Sequence, residues 1–338
     1  MVTESTEVDR RRRDGVVQAT ILGSDDPMPH LNPVPLLLAA LLSLAPTEAL
    51  AQAGGSWTAD IADIRRVAAL IPGPRPLRLN YRRFAESRRT KNFSVKDAPP
   101  LPSVQARTAF QVVYADSYLM VDAGMDAAVH RFFGRGVDEP YDAAAATEVE
   151  RAVGGARLIL VTHEHGDHIA GVVHSPEADT LAPKTILTRT QVGALRTKPQ
   201  MPEIQLTPDQ ARRYIVVDYE RYLPVAPGVA LVKAAGHTPG SQMVYVALAS
   251  GREYLLIGDA TWHMDGVRLM RGKDAPWVTE DEAAVLDQLR WLNQLGRTEP
   301  RLVILASHDE EQHADLVRDE LLVPRLELPD SNPSGGQR

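Results

Sequence analysis

No cysteine occurs among the 338 residues. A disulfide framework, a Cys-ligated zinc site, an iron–sulfur cluster and a thiol nucleophile are thereby excluded, so any metal must be held by histidines and carboxylates. Positive charge is also in deficit: 37 Lys and Arg stand against 44 Asp and Glu, a formal net charge of −7. Surfaces that track phosphates rest on clustered Lys and Arg, so nucleic acid is not an expected partner. Long apolar runs are missing as well. Leu36 to Ala45 is apolar except for Ser43 but spans only ten residues, well short of the ~18 that cross a bilayer, so no stable membrane anchor is expected. With 44% hydrophobic and 24% charged residues, the composition is that of a soluble globular protein.

The first fifty or so residues differ from the rest. Arg10 to Arg13 form a basic run, Met28 to Pro35 is proline-rich, and Leu36 to Ala45 has the length of a secretion-signal core. Pro46 breaks that core, and Ala49-Leu50-Ala51 and Ala51-Gln52-Ala53 both offer the small-x-small pattern of a cleavage site. Residues 1–53 are therefore expected to be a leader, with translation starting either at Met1 or at Met28, and the mature protein periplasmic or secreted. Residues 54–328 are expected to form one layered α/β domain, and residues 329–338, rich in Pro, Ser and Gly, a flexible tail.

Within the body, short apolar runs read as strands buried on both faces: Tyr118 to Val121, Leu158 to Val161, Val229 to Ala235, Tyr254 to Ile257 and Leu302 to Ala306. Each ends in a polar cluster. In order these are Asp122-Ala123-Gly124, Thr162-His163-Glu164-His165-Gly166-Asp167-His168, Gly236-His237-Thr238-Pro239-Gly240-Ser241, Gly258-Asp259 and Ser307-His308-Asp309. Helices are expected over Asp142 to Val153, closed by Gly154-Gly155, and over Glu280 to Leu295, opened by a Thr279-x-x-Glu282 capping box and stopped at Gly296. Strands interleaved with helices imply sheet layers covered by helices.

Alternate residues of an extended segment share a side, so His163 and His165 can grip one ion. Gly166 lets the chain turn, and Asp167 and His168, at the start of the next helix, then face a neighbouring position. His237, Asp259 and His308 supply further ligand types at other strand ends. The pattern leaves room for two adjacent metals.

These residues carry a resemblance. His163-x-His165-x-Asp167-His168, followed by a downstream His, Asp and His, is similar to the signature of the metallo-β-lactamase superfamily, with the match running from about Phe110 to Gln312. The resemblance implies an αββα sandwich with the site along one edge of two sheets. It also implies that His163, His165 and His237 bind the first metal, that Asp167, His168 and His308 bind the second, and that Asp259 bridges. Asp122, in Val-Asp-Ala-Gly, matches the motif whose carboxylate supports the site from behind the ligands; a turn Asp that only caps its own backbone is the alternative.

Two Zn²⁺ ions, the carboxylates of Asp167 and Asp259 and a bridging hydroxide would leave the cluster net positive and favour an anion. Zinc brings bound water to a pKa near ~7, so the hydroxide would attack a carbonyl or phosphorus centre, with Asp167 or Asp259 passing the proton onward. Zinc is the default metal for imidazole-rich ligands, with iron, manganese and cobalt compatible. Hydrolysis of a small-molecule ester, lactone, thioester, amide or phosphodiester is the expected chemistry.

The subgroup is narrowed by a few positions. Asp259 is unlike the zinc β-lactamases, and His165 is unlike the flavodiiron proteins. The ending Ser307-His308-Asp309-Glu310-Glu311-Gln312 resembles the acyl-homoserine lactonase branch. That branch often carries Tyr three residues after the bridging Asp, where this chain has Trp262, expected here to form an apolar substrate wall or to pack in the core. His263 beside it is either a donor to the leaving group or a loop histidine. Met201, Met264, Leu269, Met270 and Trp277 fall in segments that the resemblance places over the metals; they would receive an acyl chain, pack as satellite core or form a homodimer contact. Besides a lactonase-like hydrolase, a β-lactamase-like amidase and a metal-binding module without turnover fit the same residues.

Overall fold

The computed structural model describes residues 56–329. The apolar leader segment, its cleavage sites and the chain beyond Pro329 lie outside the described residues. Strands β1 (Arg78–Thr90), β2 (Pro102–Val113), β3 (Tyr118–Val121), β4 (Leu158–Leu160), β5 (Thr185–Thr188) and β6 (Ile215–Val217) form one sheet in that order. A second sheet holds β7 (Tyr222–Ala226), β8 (Val229–Lys233), β9 (Gln242–Ala247), β10 (Glu253–Leu256) and β11 (Leu302–Leu305), ordered β11-β10-β9-β8-β7. β1, β2 and β3 pair antiparallel, whereas β3 through β6 run parallel. In the second sheet only β10 and β11 are parallel.

Period-two alternation assigns each strand residue to a layer. In β3, Leu119 and Val121 join Phe110, Leu231, Val244 and Leu256 in the core between the sheets, while Tyr118 and Met120 face outward. In β8, Val229 and Leu231 point inward, and Ala230 and Val232 meet the helix Glu282–Thr298 through Val285, Leu289 and Leu292. Those three sit at i, i+4 and i+7, one stripe of an amphipathic helix. The helices Ala127–Gly134, Ala143–Gly155 and Gly166–Val173 cover the other outer face through Val129, Val149 and Ile169. The fold is therefore an αββα sandwich, and no helix among the described residues is long and apolar enough to cross a membrane.

Two boundaries differ from the sequence expectation. The helix expected from Glu280 begins at Glu282, is capped by Asp281 through the Ala284 amide rather than by a Thr279 box, and continues through Gly296 to Thr298. Packing of Leu292 and Leu295 on the sheet outweighs the ~1 kcal/mol propensity penalty of one glycine. Glu280 is thereby released from the helix and lies at the site described next.

Candidate metal centre

The strands β3, β4, β8, β10 and β11 run so that their C-terminal ends reach one edge of the sandwich, and the donors follow within a few residues of those ends. After β3 the backbone turns at Asp122, which adopts φ +62°, a conformation that Asp tolerates better than most residues. Its carboxylate accepts from the Thr162 amide at 2.8 Å, from the Thr162 hydroxyl, and from His168 Nδ1 at 2.8 Å. That last bond commits His168 Nε2 to the opposite side. The helix Gly166–Val173 can lie so close only because Gly171 has no Cβ, which would come 2.0 Å from the Ala123 carbonyl oxygen. Asp167, in its first turn, also gains from the helix dipole.

Two sets of donors converge. His163 Nε2 lies 3.1 Å from His165 Nδ1, and His237 Nε2 lies 3.2 Å from the same His165 atom. In the second set, His168 Nε2 and His308 Nε2 are 3.2 Å apart, and each is 3.5 Å from Asp167 Oδ2. Asp259 stands between the sets: Oδ1 is 3.0 Å from His308 Nε2 and 3.3 Å from His168 Nε2, and Oδ2 is 3.5 Å from His237 Nε2 and 3.8 Å from His163 Nε2. All seven donors named from the sequence are thus brought together, with Asp122 behind them.

The donor set fits divalent cations. Imidazole nitrogens at 3.1–3.2 Å with their ring partners pointing elsewhere lack protons enough to bond one another. Nitrogens held ~2.0–2.1 Å from a tetrahedral ion sit at about this mutual spacing. Asp259 Oδ1 is buried without a hydrogen-bond donor, the state of an oxygen awaiting a cation. Burial and the neighbouring His237 push His165 down to about 3, keeping it a neutral ligand. Burial pushes Asp167 up, but His168, Arg107 and His308 pull it down to about 2, so the carboxylate is ionised at neutral pH.

The supporting residues escaped sequence reading. Arg107, on β2, donates to Asp167 Oδ2 and to Ser87 Oγ; a charged residue inside a buried strand was the available signal. Glu280 Oε2 accepts from His237 Nδ1 at 3.0 Å and from Lys273 Nζ at 2.9 Å. Lys273, whose side chain is fully buried, also donates to the Asp259 carbonyl at 2.7 Å and the Ala260 carbonyl at 3.2 Å. Glu164, on the face of its segment opposite His163 and His165, accepts from Thr238 Oγ1 and ties the two histidine loops together.

A cavity of about 320 Å³ opens over the donors, walled by Phe132, Phe133, Trp262 and Trp277. A larger cleft of about 390 Å³, between Tyr81 and Pro324, contains none of the seven donors. Trp262 is a wall residue, and its indole N–H donates to Asp259 Oδ2 at 2.7 Å, so that proton is committed to the carboxylate between the two donor sets. His263 is corrected: it does not line this cavity but caps the helix Met264–Leu269, its Nδ1 accepting from the Asp265 amide. Of the apolar loop residues, Trp277 lines the cavity, Met201 and Met264 pack in the core, and Leu269 and Met270 are exposed.

A family model described as the metallo-beta-lactamase superfamily matches residues 105–308. An N-acyl homoserine lactonase of Bacillus thuringiensis is 27% identical over 154 residues, 46% of this chain and 56% of that protein. One from Bacillus sp is 26% identical over 157 residues, with the same coverage of 46% and 56%. The chain thus spans little more than half the length of the curated relatives it matches. Among solved structures, an N-acyl homoserine lactone hydrolase with N-hexanoyl-L-homoserine at its catalytic metal center superposes with a TM-score of 0.57 at 18% identity, covering 71% of this chain and 96% of that one. A dizinc quorum-quenching lactonase gives a TM-score of 0.50 at 14% identity, covering 70% and 89%. These likenesses concern the fold, and with a family model spanning well over half the chain, the protein belongs to the metallo-beta-lactamase superfamily.

Proposed function

We propose that the protein is an exported, dinuclear metal-dependent hydrolase that opens a lactone or related ester. The observation that carries this reading is Asp259, whose two oxygens face two separate donor sets. His163, His165 and His237 would hold one cation, Asp167, His168 and His308 the other, and Asp259 both, with zinc the metal best matched to these ligands. Such a pair, when bound, supplies acidified water and polarises a carbonyl oxygen.

The chain's own residues set the conditions for that chemistry. Asp122 and Glu280 fix the tautomers of His168 and His237, so that the opposite nitrogen of each ring faces the site. His168, Arg107 and His308 together keep Asp167 ionised against its burial, and Arg107 fixes its position by donating to Oδ2. The indole of Trp262 orients Asp259, and Phe132, Phe133 and Trp277 limit water around a bound acyl group. The lactonase names of the relatives support the ester or lactone branch, and the leader composition supports export.

Purified protein reconstituted with zinc should carry close to two ions per chain and hydrolyse γ-butyrolactone or acyl-homoserine lactones faster than nitrocefin or a phosphodiester. Full loading with no turnover across lactones, esters, thioesters, β-lactams and phosphodiesters would remove the hydrolase reading and leave a metal-binding module. Faster turnover of nitrocefin would move it to the amidase.

A further inference from the structure

Three arginines line the metal cavity: Arg89, Arg107 and Arg135. Two are already matched. Arg107 pairs with Asp167, and Arg89 pairs with Glu139 and donates to the Phe133 carbonyl. Arg135, exposed at the cavity rim, has no acidic partner among the described residues, and its guanidinium lies over the Trp277 ring at 4.2 Å. Trp277 is packed in turn against Phe93, with ring centroids 5.0 Å apart, so the platform beneath Arg135 is fixed.

Stacking occupies only the flat face of a guanidinium. Its five N–H donors lie in the plane and remain directed outward, a fork that matches a carboxylate. The backbone also holds Arg135 in place at some expense. It caps the helix Ala127–Gly134 in the left-handed region, φ 53° and ψ 42°, where glycine is the usual occupant. Desolvation and the nearby Arg89 charge both disfavour the Arg135 cation, and an anion bound there would offset them.

We propose that Arg135, seated on Trp277, anchors a carboxylate on the substrate at the end remote from the scissile bond. The preferred substrates would then be monoanionic esters or lactones rather than neutral acyl compounds. The proposal deepens the hydrolase reading and depends on it for turnover, not for binding.

The test uses zinc-loaded full-length protein and two esters of matched length, the mono-4-nitrophenyl ester of adipic acid and 4-nitrophenyl hexanoate. Wild type should favour the adipate ester in kcat/KM by about tenfold to a hundredfold, and Arg135→Met should collapse that ratio toward one, mainly through KM, with Arg135→Lys recovering part of it. A ratio unaltered by Arg135→Met, or a preference for hexanoate in the wild type, overturns the proposal. A second arm needs no turnover: calorimetric titration with monomethyl adipate and dimethyl adipate. Tighter binding of the monoanion that is lost in Arg135→Met supports the anchor even if neither nitrophenyl ester is cleaved, while the hydrolase reading stands or falls on the broader substrate panel. Equal binding of the monoanion by wild type and variant assigns the carboxylate to the metals and overturns the anchor.

Discussion

Glu280→Gln isolates what a carboxylate behind a metal-facing histidine contributes. The change is nearly isosteric and removes one charge from a side chain that is only 4% exposed. Two consequences separate. The amide can still accept from His237 Nδ1 but no longer raises the basicity of the ring, and loss of such a partner costs about 10–100-fold in metal affinity, or about 1.4–2.8 kcal/mol. Meanwhile Lys273 keeps its bonds to the Asp259 and Ala260 carbonyls but loses its counter-charge. Breaking one side of a buried pair costs roughly 3–5 kcal/mol of stability. Adding Lys273→Met should recover much of the stability and none of the metal affinity, because the second change removes the stranded cation without restoring the histidine's partner. The assay is a competitive chelator titration of single and double variants, with urea unfolding alongside. One ion should be lost at lower chelator concentration than in wild type, and the other, on His168 and His308, retained longer. Both ions leaving at the wild-type chelator concentration in Glu280→Gln would refute the assignment of Glu280 as the group that positions His237.

Asp259→Asn should reduce metal content toward one ion or none and abolish hydrolysis, since the oxygens facing both donor sets lose their charge; metal analysis after dialysis reads this directly, and two retained ions would contradict it. Trp262→Phe keeps an aromatic wall but deletes the N–H that donates to Asp259 Oδ2. We expect kcat to fall by about tenfold with little change in KM, and a change confined to KM would make Trp262 a wall only. His313 is fully buried, donates Nε2–H to the Ala306 carbonyl and is pushed by burial down to about 4. Its folded pKa lies below the unfolded value near ~6.5, so the unfolded chain takes the proton first and the stability held above that pH is lost as pH falls toward 4. The stability difference between wild type and His313→Gln should shift by about 3 kcal/mol between pH 7 and 4, and a constant difference in urea midpoints would sink this account.

The seven donors were legible because ligand-type side chains directly follow short apolar runs, and a strand end is where the chain turns from core to surface. His163 and His165 declared themselves by spacing, and Asp122 by following β3. What supports them was not legible. Arg107 meets Asp167 across 60 residues, and Glu280 meets His237 across 43, so no local pattern links the partners. Glu280 was also obscured by its own neighbourhood: Thr279 and Glu282 imitate a capping box, while Asp281 makes the actual cap. β1 escaped for a different reason. It is an edge strand rich in arginine, and a register shift between Arg83 and Ala85 interrupts the alternation of Leu79, Tyr81 and Phe84, so period-two counting fails midway. His263 shows the converse error. Adjacency in sequence to Trp262 suggested adjacency to the cavity, but the chain enters a helix there and the ring is used as its cap.

Charge balance explains why the supporting residues are as buried as the ligands. With the five imidazoles neutral, Asp122, Asp167, Asp259 and Glu280 place four negative charges at the site, and Arg107 and Lys273 return two. A buried net charge of that sign is unfavourable without a cation. The excess acts most on His168, whose imidazole burial pushes down in pKa while Asp167, Asp122 and Asp259 together push it up. One divalent ion would cancel the excess and leave the second donor set facing itself across 3.2 Å. Two ions would reverse the sign, and with the exposed Arg135 guanidinium at the cavity rim they would favour a substrate that brings negative charge of its own.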